Sequence, residues 1–494
     1  MSAASGSGDE AGDRRRLFLT ALLVYALFLN PVLTNPMTWS ALDAAGALVE
    51  TGRWEVGRAD LYGDVDVALS GSRKVAGPPP GLAVLLIPVY AGWRAVAGPV
   101  DTRERYVVFH VVATLTIGAT ASALAAGEVA ALAGWLGAGR TGQLWAALLF
   151  AFGTPAFFFG TQLGKENVAA LAVIAAFRLS VEPGGPGRRA AAGLVAGVAA
   201  VVVYPCALIG LGLTALVALR DRRRSLAAFA LGWVAPLAGL ALYNTWFFGR
   251  PWRFAYSTYL TLPGAVPSVA FTLPPASALL NSLMHHRDGL FLYSPFLLLG
   301  VVGLAAAWRV GRRLPVAIVA VFAILVWAVS ASWLARFPGW FPGARYLFAA
   351  IPLLAAFAGP VLERVDARLR WALAGASLAL TYLTVQAGHI GDSATLAYAL
   401  KTLLSGSGLP VLLKETLPWV LGIETLHTTL ARPEVTGRGV IALLATPAGW
   451  QLALNQIGIV LVGAVLFGAA AGLVHRLWAR QTVAASVAPP VLAG

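Results

Sequence analysis

Apolar runs of about the length needed to cross a bilayer alternate with short polar punctuation along nearly the whole chain. A helix crosses the hydrocarbon core in roughly 20 residues. By that measure the sequence predicts spans at Leu17–Thr34, Tyr106–Leu136, Thr141–Phe159, Lys165–Leu179, Ser225–Phe248, Gly289–Trp308, Leu314–Trp333, Tyr346–Leu362, Trp371–Ala387 and Gln456–Trp478. Two further runs need different treatment. Ala190–Leu219 is interrupted at Tyr204-Pro205, where proline withholds a backbone donor and disfavours helix in the preceding residue. It is therefore read as a broken hairpin that enters and leaves by one face. Gly81–Gly98 is short and ends near Trp93 and Arg94, which fits an amphipathic helix lying at the outer interface. The expected fold class is all-α: a polytopic bundle of roughly 10–12 membrane helices with a broken helical hairpin and outer-face interfacial helices.

Cation clusters orient this series, since Lys and Arg gather in cytoplasmic loops. Arg14-Arg15-Arg16, Arg188-Arg189, Arg220 with Arg222-Arg223-Arg224, Arg309 with Arg312-Arg313, Arg364 with Arg368 and Arg370, and Arg476 with Arg480 all fall on one side. That parity predicts cytoplasmic N- and C-termini in a multi-pass protein of the cell membrane. The expected organisation is a disordered tail over 1–16, a membrane domain over 17–387 with an outer loop at 35–80, an outer-face amphipathic segment at 388–455, a last span at 456–480 and a disordered tail at 481–494. The N-terminal region has no clear cleavage site and is read as a retained first span rather than a signal peptide.

Composition agrees. Hydrophobic residues make up 58% of 494 positions and charged residues 12%, where a soluble domain carries about twice that charged fraction. The net charge of +14 lies in inter-span clusters, so it speaks for topology and not for nucleic acid. A single cysteine, Cys206, allows no intramolecular disulfide.

The polar exception is Gly63–Gly81, GDVDVALSGSRKVAGPPPG, in the first outer loop. That loop holds Asp43, Glu50, Glu55, Asp60, Asp64 and Asp66 with Arg53, Arg58, Arg73 and Lys74. A carboxylate beside a membrane-level cavity could serve as general base on a hydroxyl, and the cations could hold a phosphate. The alternative is a solvated loop kept wet by mixed charge. His285-His286-Arg287-Asp288 precedes a span and could bind an anionic head group or a metal, or could simply start a helix. Arg345 and Tyr346, after Pro342-Gly343, stand where a cation could grip a lipid phosphate or could snorkel within an aromatic belt. Lys165-Glu166 reads as a charged pair that caps and hydrates a helix start. Glu128, the one acid in a long apolar run, lies near the cytoplasmic boundary and is read as structural.

Taken in order, GDVDVALSG, Pro79-Pro80-Gly81 before LLIPVY, Gly153-Thr154-Pro155, Tyr204-Pro205, Tyr243-Asn244, Phe248-Gly249-Arg250-Pro251, RDGLFLYSP and PGARYLFAAIPLL resemble landmarks of the GT-C superfamily. These are polytopic glycosyltransferases that use lipid-phosphosugars, related to protein mannosyltransferases and aminoarabinose transferases. The resemblance implies an inverting sugar transferase. Its donor is a polyprenyl-phosphate-linked sugar in a cavity facing the outer leaflet, and its acceptor is a glycan, lipid or protein hydroxyl. Carried over, Asp64 is the first choice of base, Asp66 the second, and Asp43 a third, because the acidic pair that often follows the first span is not evident in NPMTWSALD. Lys74 and Arg345 would grip the phosphate, supported by Arg73, Arg287, Tyr346 and His286. Lys74 is displaced from the place beside the proline motif that a lysine often takes. Metal use stays open, and no nucleotide cofactor and no nucleic acid are expected. Two alternatives remain: a lipid-linked sugar flippase or transporter, and a non-catalytic membrane assembly partner.

Overall fold

The computed structural model describes residues 6–29, 36–58, 66–258, 273–285, 289–334 and 345–387, with positions 469, 472–473 and 476 beyond them. It is a helical membrane bundle. Among the described residues four helices are long and apolar enough to cross a membrane: Arg105–Trp135, Arg223–Phe248, Arg313–Ser332 and Arg345–Arg364. Shorter apolar helices lie between them, including Tyr204–Arg220 and Leu297–Arg309.

The first helix, α1 (Gly6–Leu27), starts well before the apolar run. Residues 6–16, expected as a tail, are helical because Asp13 anchors them: its carboxylate meets Arg16 at 3.3 Å and Arg140 at 2.7 Å. The first loop is not a loop throughout. It contains helix α2 (Pro36–Thr51) and an antiparallel hairpin of β1 (Val67–Ser70) and β2 (Arg73–Ala76), in register Val67↔Ala76 to Ser70↔Arg73. This hairpin is the one departure from the all-helical expectation among the described residues. Gly71 takes φ +62° in its two-residue turn, a conformation that costs a glycine nothing.

Helix α3 (Gly81–Ala97) follows Pro80 and packs on α2. Next come α4 (Arg103–Ala113), a π-helical turn (Thr114–Ala119) and α5 (Thr120–Trp135), which form one continuous span. The expected span Thr141–Phe159 is divided into α6 (Arg140–Gly153) and α7 (Ala156–Gly160). The Thr154 hydroxyl ends the first by donating to the Phe150 carbonyl at 2.6 Å and starts the second by accepting from the Ala156 amide at 3.1 Å. Then α8 (Lys165–Val181) leads to α9 (Pro186–Val202), a 3-10 turn at Tyr204–Cys206 and α10 (Ala207–Arg220). The break falls at the proline, as read from sequence, but α9 has 17 residues. That is about 25 Å of helix, more than half a crossing.

Helix α11 (Arg223–Phe248) packs extensively on α9 yet leaves Leu231, Leu242 and Trp246 exposed. The last described elements are α12 (Ala276–Met284), α13 (Leu290–Tyr293), α14 (Leu297–Arg309), α15 (Arg313–Leu334), a 3-10 turn at Arg345–Ala350, α16 (Ile351–Arg364) and α17 (Ala367–Ala387). The core is the seam where α5, α6, α8 and α16 meet, filled by alanine and phenylalanine.

The two ends of the bundle differ in chemistry. At one end, ion pairs and carbonyl contacts join successive helix termini. Arg178 spans Glu128 (Nη2 to Oε1, 3.1 Å) and Glu182 (3.0 Å), and Arg189 meets Asp221. The Gly139 amide donates to Glu363 at 2.7 Å, and the Arg312 guanidinium lies 4.2 Å from the Trp135 ring centroid. Glu128 is therefore half of a structural pair. The opposite end carries the first-loop cap. The predicted segment 388–455 and nearly all of 456–494 lie outside the described residues.

Candidate active site

At the capped end, the start of α8 is fixed before any chemistry is placed. The Asn167 side-chain amide donates to the Gly118 carbonyl (3.0 Å) in the π-helical turn and to the Ser122 hydroxyl (3.0 Å). The Thr38 hydroxyl of α2 donates to the Leu163 carbonyl at 2.9 Å. These bonds tie three elements to residues 163–167. Within that frame both Lys165 and Glu166 are buried, at 8% and 6% exposure. An acid suits a helix N-terminus, but a cation there opposes the helix dipole. A buried lysine in that position conflicts with local stability, and such conflicts concentrate at functional sites.

The compensation comes from far along the chain. Arg345, 8% exposed, donates from Nε to Glu166 Oε1 at 2.9 Å, and its guanidinium lies 5.1 Å from the Tyr346 ring centroid. The Asp66 carboxylate also interacts electrostatically with Arg345. Lys165 Nζ donates to the Tyr256 hydroxyl at 3.5 Å, and the Tyr256 ring stands edge-on to Tyr204 at 5.9 Å between centroids. Two cations and two acids thus share one junction, walled by tyrosines from the broken hairpin and from the turn after α11. Glu166 Oε2 is buried with no hydrogen-bond partner.

Asp66 itself has φ +54°, the one positive φ of a non-glycine residue among those described. Asp tolerates that region better than most residues. Its carbonyl accepts from the Gly77 amide at 2.8 Å, which closes the base of the hairpin just ahead of the proline run. Gly81 then abuts α9: an added Cβ would fall 2.7 Å from Val202 Cγ2 and 2.8 Å from the Val201 carbonyl oxygen. The hairpin, the proline motif and the Tyr204-Pro205 break are thereby locked together.

The chain is similar to two solved structures of ArnT from Cupriavidus metallidurans. One is bound to undecaprenyl phosphate (16% identity, TM-score 0.45, covering 95% of this chain and 79% of that one). The other is in the apo state (15% identity, TM-score 0.45, covering 93% and 76%). Both likenesses are too loose to match residue to residue. No family model matches the chain, and no curated protein is similar to it.

The remaining residues singled out from sequence are distributed as follows. Asp43 is buried at 4% exposure, and its Oδ2 accepts from the amides of Gly57 (2.8 Å) and Arg58 (3.0 Å). Burial is the main reason its carboxyl is held above the usual range, with those two bonds pulling the other way. Glu50 and Arg58 pair with each other and with Tyr90, and Arg58 Nη1 reaches the Val100 carbonyl at 2.7 Å. These three charged residues clamp α2, the following turn and α3 into one cap.

Arg73 faces Glu55 at 3.5 Å on the exposed side of the hairpin. Lys74 pairs with Leu69 across the strands, and its carbonyl accepts from the Val56 amide at 2.9 Å. Asp64, His286 and Arg287 lie outside the described residues. Among the described residues no three His, Cys, Asp or Glu side chains gather as a metal site would need. Lys165 and Glu166, expected from sequence as a hydrated helix start, are both buried, and Tyr256 was not singled out. The usable signal was a lysine at the first position of a helix that is apolar from Val168 to Phe177.

Proposed function

We propose that this membrane protein is an inverting glycosyltransferase, moving a sugar from a polyprenyl-phosphate-linked donor to an acceptor hydroxyl at the capped end of the bundle. The observation that carries the reading is the junction of the buried Arg345, Lys165 and Glu166, with the half-buried Asp66 beside it. Burying charge is expensive unless it is compensated, and two buried cations of different helices at one point suit a dianionic or monoanionic phosphate. In this reading Arg345 and Lys165 hold the donor phosphate, and Glu166 orients Arg345 through the 2.9 Å contact.

A first-loop acid accepts the acceptor's hydroxyl proton. Asp66 is favoured for its reach to Arg345, and Asp64 remains its companion candidate. The acceptor oxygen then attacks the anomeric carbon. The bond from that carbon to the phosphate oxygen breaks, its electron pair leaves with the lipid phosphate, and Arg345 and Lys165 neutralise the developing charge. Asp43 is reassigned as a structural acid, since both described bonds of its carboxylate hold the cap. Parity of the cation clusters supports placing this end outside the cytoplasmic membrane.

The test is sugar transfer in proteoliposomes from a polyprenyl-phosphate-linked donor carrying a radiolabelled sugar. Arg345→Gln and Lys165→Gln should each lower kcat/KM by about 10²–10³-fold, the usual cost of removing one preorganised charge-stabilising donor. Wild-type turnover in either variant would defeat the assignment. Donor-dependent lipid movement across the bilayer without sugar transfer would favour a flippase instead.

A further inference from the structure

A second site candidate lies outside this junction. A groove of about 730 Å³ opens between the first-loop cap and the last turns of α11, lined by Arg53, Trp54, Glu55, Arg73, Tyr243 and Trp246 among others. Its volume is within the range of small-molecule pockets, roughly 300–1,000 Å³. Neither Lys165 nor Arg345 lines it. One wall is polar and belongs to the cap. The other is the end of a helix long and apolar enough to cross a membrane, whose apolar window is only 11% buried within the protein, so that wall is open and suits contact with lipid. Leu242 and Trp246 on it are 72% and 79% exposed.

Both guanidiniums on the polar wall are available to an anion. Among the described residues Arg53 has no ion-pair partner, and Arg73 has only the loose, exposed contact to Glu55 at 3.5 Å. The hairpin that carries Arg73 is itself fastened to α11, where the Ser70 hydroxyl donates to the Phe247 carbonyl at 2.6 Å. Trp54 meets Tyr243 edge-on at 5.6 Å between centroids. The cations are therefore held at a fixed height relative to the lipid-facing helix, at the level where aromatic residues anchor membrane proteins.

We infer that this groove binds an anionic membrane phospholipid, with its phosphate on Arg53 and Arg73 and its acyl chains along Leu242 and Trp246. The occupant is specified by the two walls together. Paired cations select a phosphate, and a lipid-exposed apolar strip continuous with them selects one carrying hydrocarbon chains. Bound there, the lipid would brace the cap against the bundle. This inference does not depend on the proposed sugar transfer.

The experiment is native mass spectrometry of the full-length protein released from detergent and titrated with phosphatidylglycerol or phosphatidylcholine. The wild type should retain phosphatidylglycerol preferentially. Each basic residue near an anionic lipid surface contributes about a fivefold factor, so Arg53→Gln with Arg73→Gln should reduce the preference roughly thirtyfold. Arg53→Lys with Arg73→Lys should restore most of it, which separates lost charge from lost folding. An unchanged preference in the Gln pair would overturn the inference. So would displacement of the lipid by equimolar inorganic phosphate or by a neutral disaccharide, since the groove would then recognise a free anion or a glycan.

Discussion

Replacing Glu166 with Gln keeps the shape of the side chain and removes the charge that Arg345 faces. The pair is separated by 2.9 Å, with the two side chains 7% and 6% exposed. At that distance the Coulomb attraction is about 6 kcal/mol for an effective dielectric constant of about 20. Breaking a buried pair by removing one partner costs about 3–5 kcal/mol, because the surviving charge is left uncompensated. Asp66 also attracts Arg345 and takes up part of the loss, so about 3 kcal/mol is expected.

The assay is equilibrium unfolding by SDS titration in mixed micelles, run as a double-mutant cycle with Arg345→Met. A coupling of about 2–3 kcal/mol is expected, within the range for residues in direct contact. The same variant should bind polyprenyl phosphate more tightly than the wild type while turning over more slowly. Its guanidinium no longer shares charge with Glu166 but has lost its orientation. Additive effects in the cycle, with unaltered lipid-phosphate affinity, would refute the reasoning.

Three further outcomes follow from single contacts. Asp43 is an acid whose carboxyl is raised by burial, so the folded state favours its protonated form. Its contribution to stability is therefore best near and below the ordinary value of 3.8 and is lost as pH rises through the window from there to the raised value. Melting of wild type and Asp43→Asn compared across that window should show the wild type falling and the Asn variant flat, while Asp43→Ala loses about 1–3 kcal/mol at neutral pH from two orphaned amides. Gly81→Val should push α3 away from Val201 and Val202 and destabilise by about 1–3 kcal/mol or more, measured by thermal loss of the monodisperse peak. Gly71→Val, at φ +62°, should cost about 1–2 kcal/mol and loosen the hairpin, read as faster proteolysis between α2 and α3.

The long spans and the break at Tyr204-Pro205 were legible because both depend on local rules, namely apolar length and proline sterics. That Gly81–Ala97 forms a separate short helix was likewise readable from its length and its terminal Trp93 and Arg94. The hairpin was only faintly marked: Gly71-Ser72 suits a two-residue turn, but the flanking strands VALS and RKVA hold one β-branched residue each, Val67 and Val75, and the surrounding polarity made the stretch read as loop. Helix α2 was hidden by its small residues: Ala41, Ala44 and Ala45 are buried, yet they give a weak amphipathic signal.

The junction was harder to see because its contacts span great sequence distances. Glu166 and Arg345 are 179 positions apart, and Lys165 reaches Tyr256 across 91. From sequence, Lys165-Glu166 is a charged pair at a turn, which is ordinarily solvated. Only packing reveals that both are buried. Arg73 shows the converse: it was grouped with Lys74 by adjacency, but neighbouring strand residues face opposite sides, and it lines the outer groove instead.

In the proposed mechanism Arg345 and Lys165 together hold the phosphate of a lipid-linked donor. Equilibrium binding of polyprenyl phosphate to purified protein, compared among wild type, Arg345→Gln with Lys165→Gln, and Arg53→Gln with Arg73→Gln, tests it directly. The first pair should lose at least about a hundredfold in affinity, from two hydrogen bonds to a charged group at about 1.5–3 kcal/mol each, and the second pair should bind as the wild type does. Undiminished binding in the Arg345 and Lys165 pair, or loss confined to the Arg53 and Arg73 pair, would contradict it.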